Sequence, residues 1–87
     1  MRITLKSFNR VWAAIQRFDR LLRPYNLKVV DHQADPKEGI VQVFVNARYF
    51  DEVELVTRLA HDSFDNAVLA INTTSGESLR QTAVANP

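Results

Sequence analysis

The chain contains no cysteine and only two glycines, Gly39 and Gly76. The absence of cysteine excludes disulfides, thiolate metal sites and thiol nucleophiles, and it suits a reducing compartment. Because no glycine precedes position 39, the N-terminal third cannot form a glycine-rich loop that cradles a phosphate. We therefore expect neither a cofactor nor enzymatic activity, and no small-molecule substrate.

Long apolar runs are also missing. No stretch approaches the roughly 20 apolar residues of a membrane-spanning helix, and the opening segment MRITLKS lacks the apolar core of a secretory signal. The 87 residues are 46% hydrophobic and 24% charged, which is typical of one small globular domain. We therefore expect a cytoplasmic protein that makes no membrane contact.

The N-terminal residues predict a strand followed by a helix. RITLK (residues 2–6) alternates polar and apolar side chains, as a half-buried strand does. Ser7 is a suitable N-cap, and apolar residues then recur at steps of three and four as far as Leu22. Trp12 belongs to this stripe, so we expect it in the core. Pro24 predicts that the helix ends near Leu22.

The next segment predicts a hairpin. LKVVDHQ (27–33) and IVQVFVN (40–46) have strand composition, and ADPKEG (34–39) between them has turn composition. In the second of these strands Val41, Val43 and Val45 share one side. Ile40 and Phe44 fall on the other side, so both sides of this strand carry apolar groups.

A second helix and a fourth strand complete the pattern. Asp51 is the predicted N-cap, and Glu54 is placed to reach back to its amide as in a capping box. This helix should end around residues 62–63, and NAVLAINT (66–73) should follow as a strand. Residues 74–87 contain few large apolar groups and are predicted to be a C-terminal tail.

The predicted order is therefore β-α-β-β-α-β, over one domain of residues 1–73. This order is that of the ferredoxin-like sandwich, in which an antiparallel sheet of order 4-1-3-2 carries two helices on one face. The other face would be left open. Leu69 and Ile71 are expected to face the helices. The open face is expected to present Arg2, Thr4, Lys6, Lys28, Val30, His32, Ile40, Gln42, Phe44, Asn46, Val68 and Ala70.

Three interpretations of this open face compete. The tail could fold back over it, with Leu79 and Val84 as the covering groups. Alternatively the face could dock a protein, most simply a second copy in a homodimer, because exposed apolar patches usually mark contact surfaces. The residues of that docking surface would be Ile40, Gln42, Phe44, Val30 and Val68.

In the third interpretation the face binds single-stranded nucleic acid. Phe44 would stack on an unpaired base, while Arg2, Lys6 and Lys28 would contact phosphates. An aromatic side chain on a central strand resembles the layout of an RNA-recognition motif, which implies RNA binding through the sheet.

Other chemistry has weaker support in the sequence. His32 lies near Asp31 and Asp35, and His61 precedes Asp62, but neither histidine has the spacing of a metal site, so we expect no metal. The acidic cluster Asp51, Glu52 and Glu54 is explained by its position at a helix start. The first predicted helix carries a basic band of Arg10, Arg17 and Arg20, which we interpret as a solvated face.

Overall fold

A computed structural model describes residues 1–73. The predicted tail at 74–87, with Leu79 and Val84, lies outside the described residues. Short 3-10 turns at Arg23–Tyr25 and Asp65–Ala67 follow the two helices. The helices and strands are β1 (Arg2–Lys6), α1 (Val11–Leu22), β2 (Val29–Asp35), β3 (Ile40–Val45), α2 (Phe50–Phe64) and β4 (Val68–Asn72).

The four strands form one antiparallel sheet in the order β2-β3-β1-β4. This is the predicted order 4-1-3-2 read from the opposite edge. Both helices contribute to a single buried cluster with β1 and β3, so they cover the same face of the sheet. The result is a small α+β fold that fits the ferredoxin-like plan.

The alternation of buried and more exposed side chains in β1 and β3 shows which face of the sheet contributes to the core. Ile3 and Leu5 of β1 pair with Val43 and Val41 of β3, and all four side chains are buried. Their sequence neighbours on the other side of the sheet are only partly buried or exposed. The period-two pattern therefore predicted the helix-facing side of both strands correctly. The helices add Val11, Ala14, Ile15, Phe18, Leu22, Val56, Ala60 and Phe64 to this core.

The start of α1 differs from the prediction. Ser7 is not the N-cap, a position that Arg10 occupies; the Ser7 N–H instead donates to the Gly39 carbonyl at 2.8 Å and so extends the pairing of β1 with β3. The helix begins only at Val11, after Arg10 takes a left-handed conformation with φ of 66°. The chain needs these additional residues to turn from the end of the sheet onto its face.

Trp12 does not lie in the core as predicted. Its side chain is 44% exposed, and its ring meets His32 of β2 edge-on, with centroids 4.9 Å apart. Viewed along the axis of α1, the five buried residues of this helix are grouped around the angular position of Val11. At 3.6 residues per turn, Trp12 is rotated by about 100° from that direction. It therefore lies on the flank of the helix, beside the β2 edge.

The N-terminus of α2 is capped two residues earlier than predicted. One Glu52 carboxylate oxygen accepts hydrogen bonds from the amides of Arg48 and Tyr49, at 2.9 and 3.2 Å. Tyr49 is the N-cap residue, whereas Asp51 lies within the first turn, where its carboxylate accepts the Glu52 amide at 3.0 Å. Glu54 is exposed and makes no such contact in the described residues.

This cap can be tested with a matched pair of substitutions. Glu52→Ala should lower the free energy of unfolding by about 1 kcal/mol, because two amides at the helix start lose their acceptor. Glu54→Ala should change it by less than about 0.5 kcal/mol, since it alters an exposed position only. Urea unfolding of both variants provides the comparison. Equal losses in the two variants would contradict this assignment of the cap.

Candidate functional site: the open sheet face

The open face is the side of the sheet turned away from both helices. Residues directly opposite each other in an antiparallel pair share a face, so the register of the strands assigns each side chain. In the two central strands the face holds the predicted residues, all partly buried except the exposed Lys6. They form the cross-strand pairs Arg2–Phe44, Thr4–Gln42 and Lys6–Ile40.

A bulge changes the open face of β2. Val29 pairs with Val45, but Asp31 pairs with Phe44, so Val30 is an extra residue in this strand. The bulge reverses the alternation that follows it. Asp31, Gln33 and Asp35 consequently lie on the open face. The prediction that His32 faces outward is wrong: it pairs with Val43 on the helix side.

In β4, a second bulge changes which side chains face the helices, so the predicted assignment of Val68 and Leu69 is wrong. Ile71 pairs with Ile3 and Val68 pairs with Leu5, so Leu69 between them is the extra residue. Val68 thus packs against the core and does not belong to the open face, whereas Leu69 is 54% exposed. The open-face residues of this strand are Ala70, as predicted, and Asn72.

The open face is consequently less apolar than predicted. Ile40 and Phe44 are half-buried and are separated along β3 by Gln42. The pairing arranges the side chains in rows across β2, β3 and β1. The first row is Asp31, Phe44 and Arg2; the second is Gln33, Gln42 and Thr4; and the third is Asp35, Ile40 and Lys6. The edge strand β2, with Asp31 and Asp35, and the strand β1, with Arg2 and Lys6, therefore flank β3. We call the two aspartates of β2 the acidic edge.

Lys28 lies at one end of this face. Its N–H donates to the Asn46 side chain at 2.9 Å, and its carbonyl accepts the Asn46 amide at 3.3 Å. Side chains along β3 alternate between the two faces of the sheet, so Asn46 lies on the same side as Phe44. Lys28 pairs with Asn46 and therefore also lies on the open face. The three cations of the nucleic-acid interpretation are thus on the face, but Asp31 and Asp35 accompany them. Their charges weaken the attraction for phosphate.

The charged groups of this face have no ion-pair partners within the described chain. Between side chains of residues 1–73, the ion pair present is that of Arg23 with Asp19, which lies elsewhere. The Nε of Arg2 is buried and has no hydrogen-bond acceptor among these residues. The open face therefore carries charges of both signs that form no ion pair among residues 1–73.

The histidines do not form a metal site in the described part of the chain. His32 is on the opposite side of the sheet from Asp31 and Asp35, because alternate residues of a strand face opposite ways. No group of three or more potential metal-ligating side chains occurs in residues 1–73. His61 lies in the last turn of α2 and is exposed.

The basic band of α1 borders a second surface feature. Arg17 and Arg20 line a shallow cleft of about 570 Å³ between the helices, together with Leu21 and Asp62. Two exposed aromatic side chains, Trp12 and Phe50, lie on the helices and thus away from the open face. The exposure of these side chains was not predicted from the sequence, because the helical spacing of apolar residues does not distinguish the buried side of a helix from its flanks.

Comparison with known proteins finds no matching family model, no matching curated protein and no matching solved structure. Within residues 1–73, neither helix has the length and apolar character needed to cross a membrane.

Proposed function

We propose that this chain is a non-catalytic, cytoplasmic protein-interaction module that binds a second copy of itself through the open sheet face. One observation carries the proposal. The face combines two half-buried apolar side chains, Ile40 and Phe44, with unpaired charges of both signs on the strands beside them. Apolar side chains bordered by polar and charged groups are the usual composition of a protein interface.

The area of the face indicates a weak complex. Four strands about 4.8 Å apart and about six residues long at 3.4 Å each give roughly 400 Å² per copy. A face-to-face pair would thus bury at most about 800 Å² in total, which is below the usual size of a specific interface and is the size of a weak contact. We expect association at chain concentrations on the order of 100 µM.

The first test removes the central aromatic group. Phe44→Ala should shift the chain toward monomer in sedimentation equilibrium, between about 10 µM and about 1 mM. It should do so because Phe44 is the larger of the two half-buried apolar side chains on the face, and aromatic anchors carry much of the binding energy of protein interfaces. Phe50→Ala is the matched control, since Phe50 is 65% exposed at the start of α2, away from the sheet. A parental chain that stays monomeric throughout, or equal effects of both variants, would contradict the proposal.

Nucleic-acid binding is the alternative outcome. Fluorescence anisotropy with a labelled single-stranded oligonucleotide should show no binding at physiological salt, because Asp31 and Asp35 lie among the cations. Binding that weakens steeply as salt is raised, and that Phe44→Ala reduces, would replace self-association by nucleic-acid recognition.

A further inference from the structure

We infer that the open face recognises a second copy in one orientation only, set by two reciprocal charge pairs. This inference rests on the proposed self-association. In it, Asp31 of each copy faces Arg2 of the other, and Asp35 of each copy faces Lys6 of the other. Both pairs follow from the order of the three rows across the sheet.

The geometry follows from the two-fold symmetry of a homodimer. Two copies stacked face to face share an axis in the plane between the sheets. When that axis runs along β3, each β3 residue lies over its own counterpart, and β2 of one copy lies over β1 of the other. β4 then lies outside the overlap, which covers about three quarters of the face. Phe44 meets Phe44, Ile40 meets Ile40, and the acidic edge of each copy covers Arg2 and Lys6 of the other.

Sheet twist does not remove this match. Aligned sheets cross at about 30°, so each β3 deviates by about 15° from the axis. Two residues from the centre, the resulting lateral displacement is roughly 4 Å, which is less than the spacing of neighbouring strands. Long side chains such as Arg2 and Lys6 can span that displacement.

The face-to-face arrangement with the perpendicular axis is disfavoured by charge. An axis running across the strands through Gln42 would place Arg2 over Lys6 and Asp31 over Asp35 of the second copy. All four contacts would be between like charges, and such juxtapositions reject wrong orientations. The apolar pair of Ile40 and Phe44 fits either axis, so the charges determine the orientation.

The absence of intramolecular ion pairs on the described part of this face supports this assignment, although the carboxylates of Asp31 and Asp35 accept the backbone amides of His32 and Glu38. Among residues 1–73, Arg2, Lys6 and Asp35 form no side-chain ion pair, although all belong to one surface. Arg2 in addition has a buried Nε without an acceptor. A carboxylate from a second copy would supply the opposite charge that the chain itself does not place there.

A charge-exchange experiment tests the inference. One variant carries Arg2→Glu alone and the other carries Asp31→Lys alone, so neither face takes charges of a single sign. Each alone should be at least tenfold weaker in self-association than the parental chain, because each would stack like charges. An axis across the strands would instead make each variant tighter, because the new carboxylate at position 2 would face Lys6 and the new ammonium at position 31 would face Asp35. An equal mixture should regain the parental affinity as a heterodimer, because every reciprocal pair is then restored. Circular dichroism and thermal unfolding confirm that each variant is folded.

The possible results separate the inference from the proposed function. If both variants self-associate like the parental chain while Phe44→Ala does not, self-association stands and the orientation is wrong. If the mixture is no tighter than its components, the orientation is likewise overturned. If the parental chain is monomeric at every concentration, the proposed function itself fails.

Single cysteines locate the axis independently, since the chain has no native cysteine. Gln42→Cys should cross-link to itself with a short bismaleimide, because residue 42 lies on the axis in the middle row. Gln33→Cys is the matched control, since Gln33 is also on the open face but would face Thr4 of the second copy. Equal cross-linking of both variants would overturn the placement of β3 at the centre.

Discussion

Phe18→Ala is expected to lower the free energy of unfolding by about 3–5 kcal/mol, the largest effect of any substitution considered for this chain. Phe18 has no exposed surface, and its ring lies 5.0 Å from that of Phe64, centroid to centroid. The two rings join α1 to α2 over the sheet. Truncation removes the buried ring and leaves a cavity, since close-packed neighbours relax only in part.

Trp12→Ala is the matched control for this prediction. A pattern that places Trp12 in the core predicts a loss as large as that of Phe18→Ala. The structure instead leaves Trp12 44% exposed beside His32, so its truncation should cost no more than about 1.5 kcal/mol. Urea unfolding monitored by circular dichroism measures both variants. Equal losses would show that the indole is buried after all.

The contrast between these two residues shows what helical periodicity can predict. The stripe identified α1 as amphipathic and identified Phe18 as buried, because Phe18 lies near the centre of the stripe. It could not assign Trp12, because a large apolar side chain on the flank satisfies the same spacing. Only the position of β2 relative to α1 decides whether that flank is covered, and this is a tertiary property.

In the strands, too, the local sequence predicts some side-chain orientations, and the pairing of the strands determines the others. Alternation in β1 and β3 was sufficient to assign both faces, because no residue interrupts it. In β2 and β4 one extra residue reverses the alternation, and Asp31 replaces His32 on the open face. Adjacent apolar residues occur at both bulges, at Val29–Val30 and Val68–Leu69, but they also occur at Phe44–Val45 of β3, where the alternation is uninterrupted. The sequence therefore does not mark the bulges.

These bulges altered the candidate site more than they altered the fold. The strand order depends on hydrophobic pattern and connection lengths, which a single extra residue does not change. The site depends on which side chains share a face, and that assignment reverses with one residue. The acidic edge formed by Asp31 and Asp35, on which the proposed orientation of the dimer depends, could therefore not be found from alternation alone.

Asp19→Ala is expected to lower the free energy of unfolding by about 1–3 kcal/mol at neutral pH. One carboxylate oxygen of Asp19 accepts the Val29 amide at 2.8 Å, and the other accepts the Arg23 guanidinium at 2.8 and 3.3 Å. Asp19 thereby fixes the end of α1 to the start of β2. The substitution leaves the Val29 amide, on a half-buried residue, without its acceptor.

The same contacts make this contribution dependent on pH. Burial alone would raise the pKa of the Asp19 carboxyl, but the hydrogen bonds from Arg23 and Val29, with the charges of Arg23 and Lys28, lower it below its ordinary value. A carboxyl whose pKa is lower in the folded than in the unfolded chain binds its proton more readily after unfolding. Its stabilisation is therefore complete above the unfolded pKa of about 4 and is lost as the pH falls through the folded pKa.

Urea unfolding of the parental chain at about pH 6 and about pH 3 should show this loss, and Asp19→Asn should reduce the difference between the two pH values. The amide can still accept the Val29 N–H, but it carries no charge that a proton could remove. Asp62→Asn is the matched control, because the Asp62 side chain is exposed and forms no hydrogen bond or ion pair among the described residues. If both asparagine variants keep the parental pH dependence, the acid sensitivity of this fold arises from carboxylates other than the one that fastens α1 to β2.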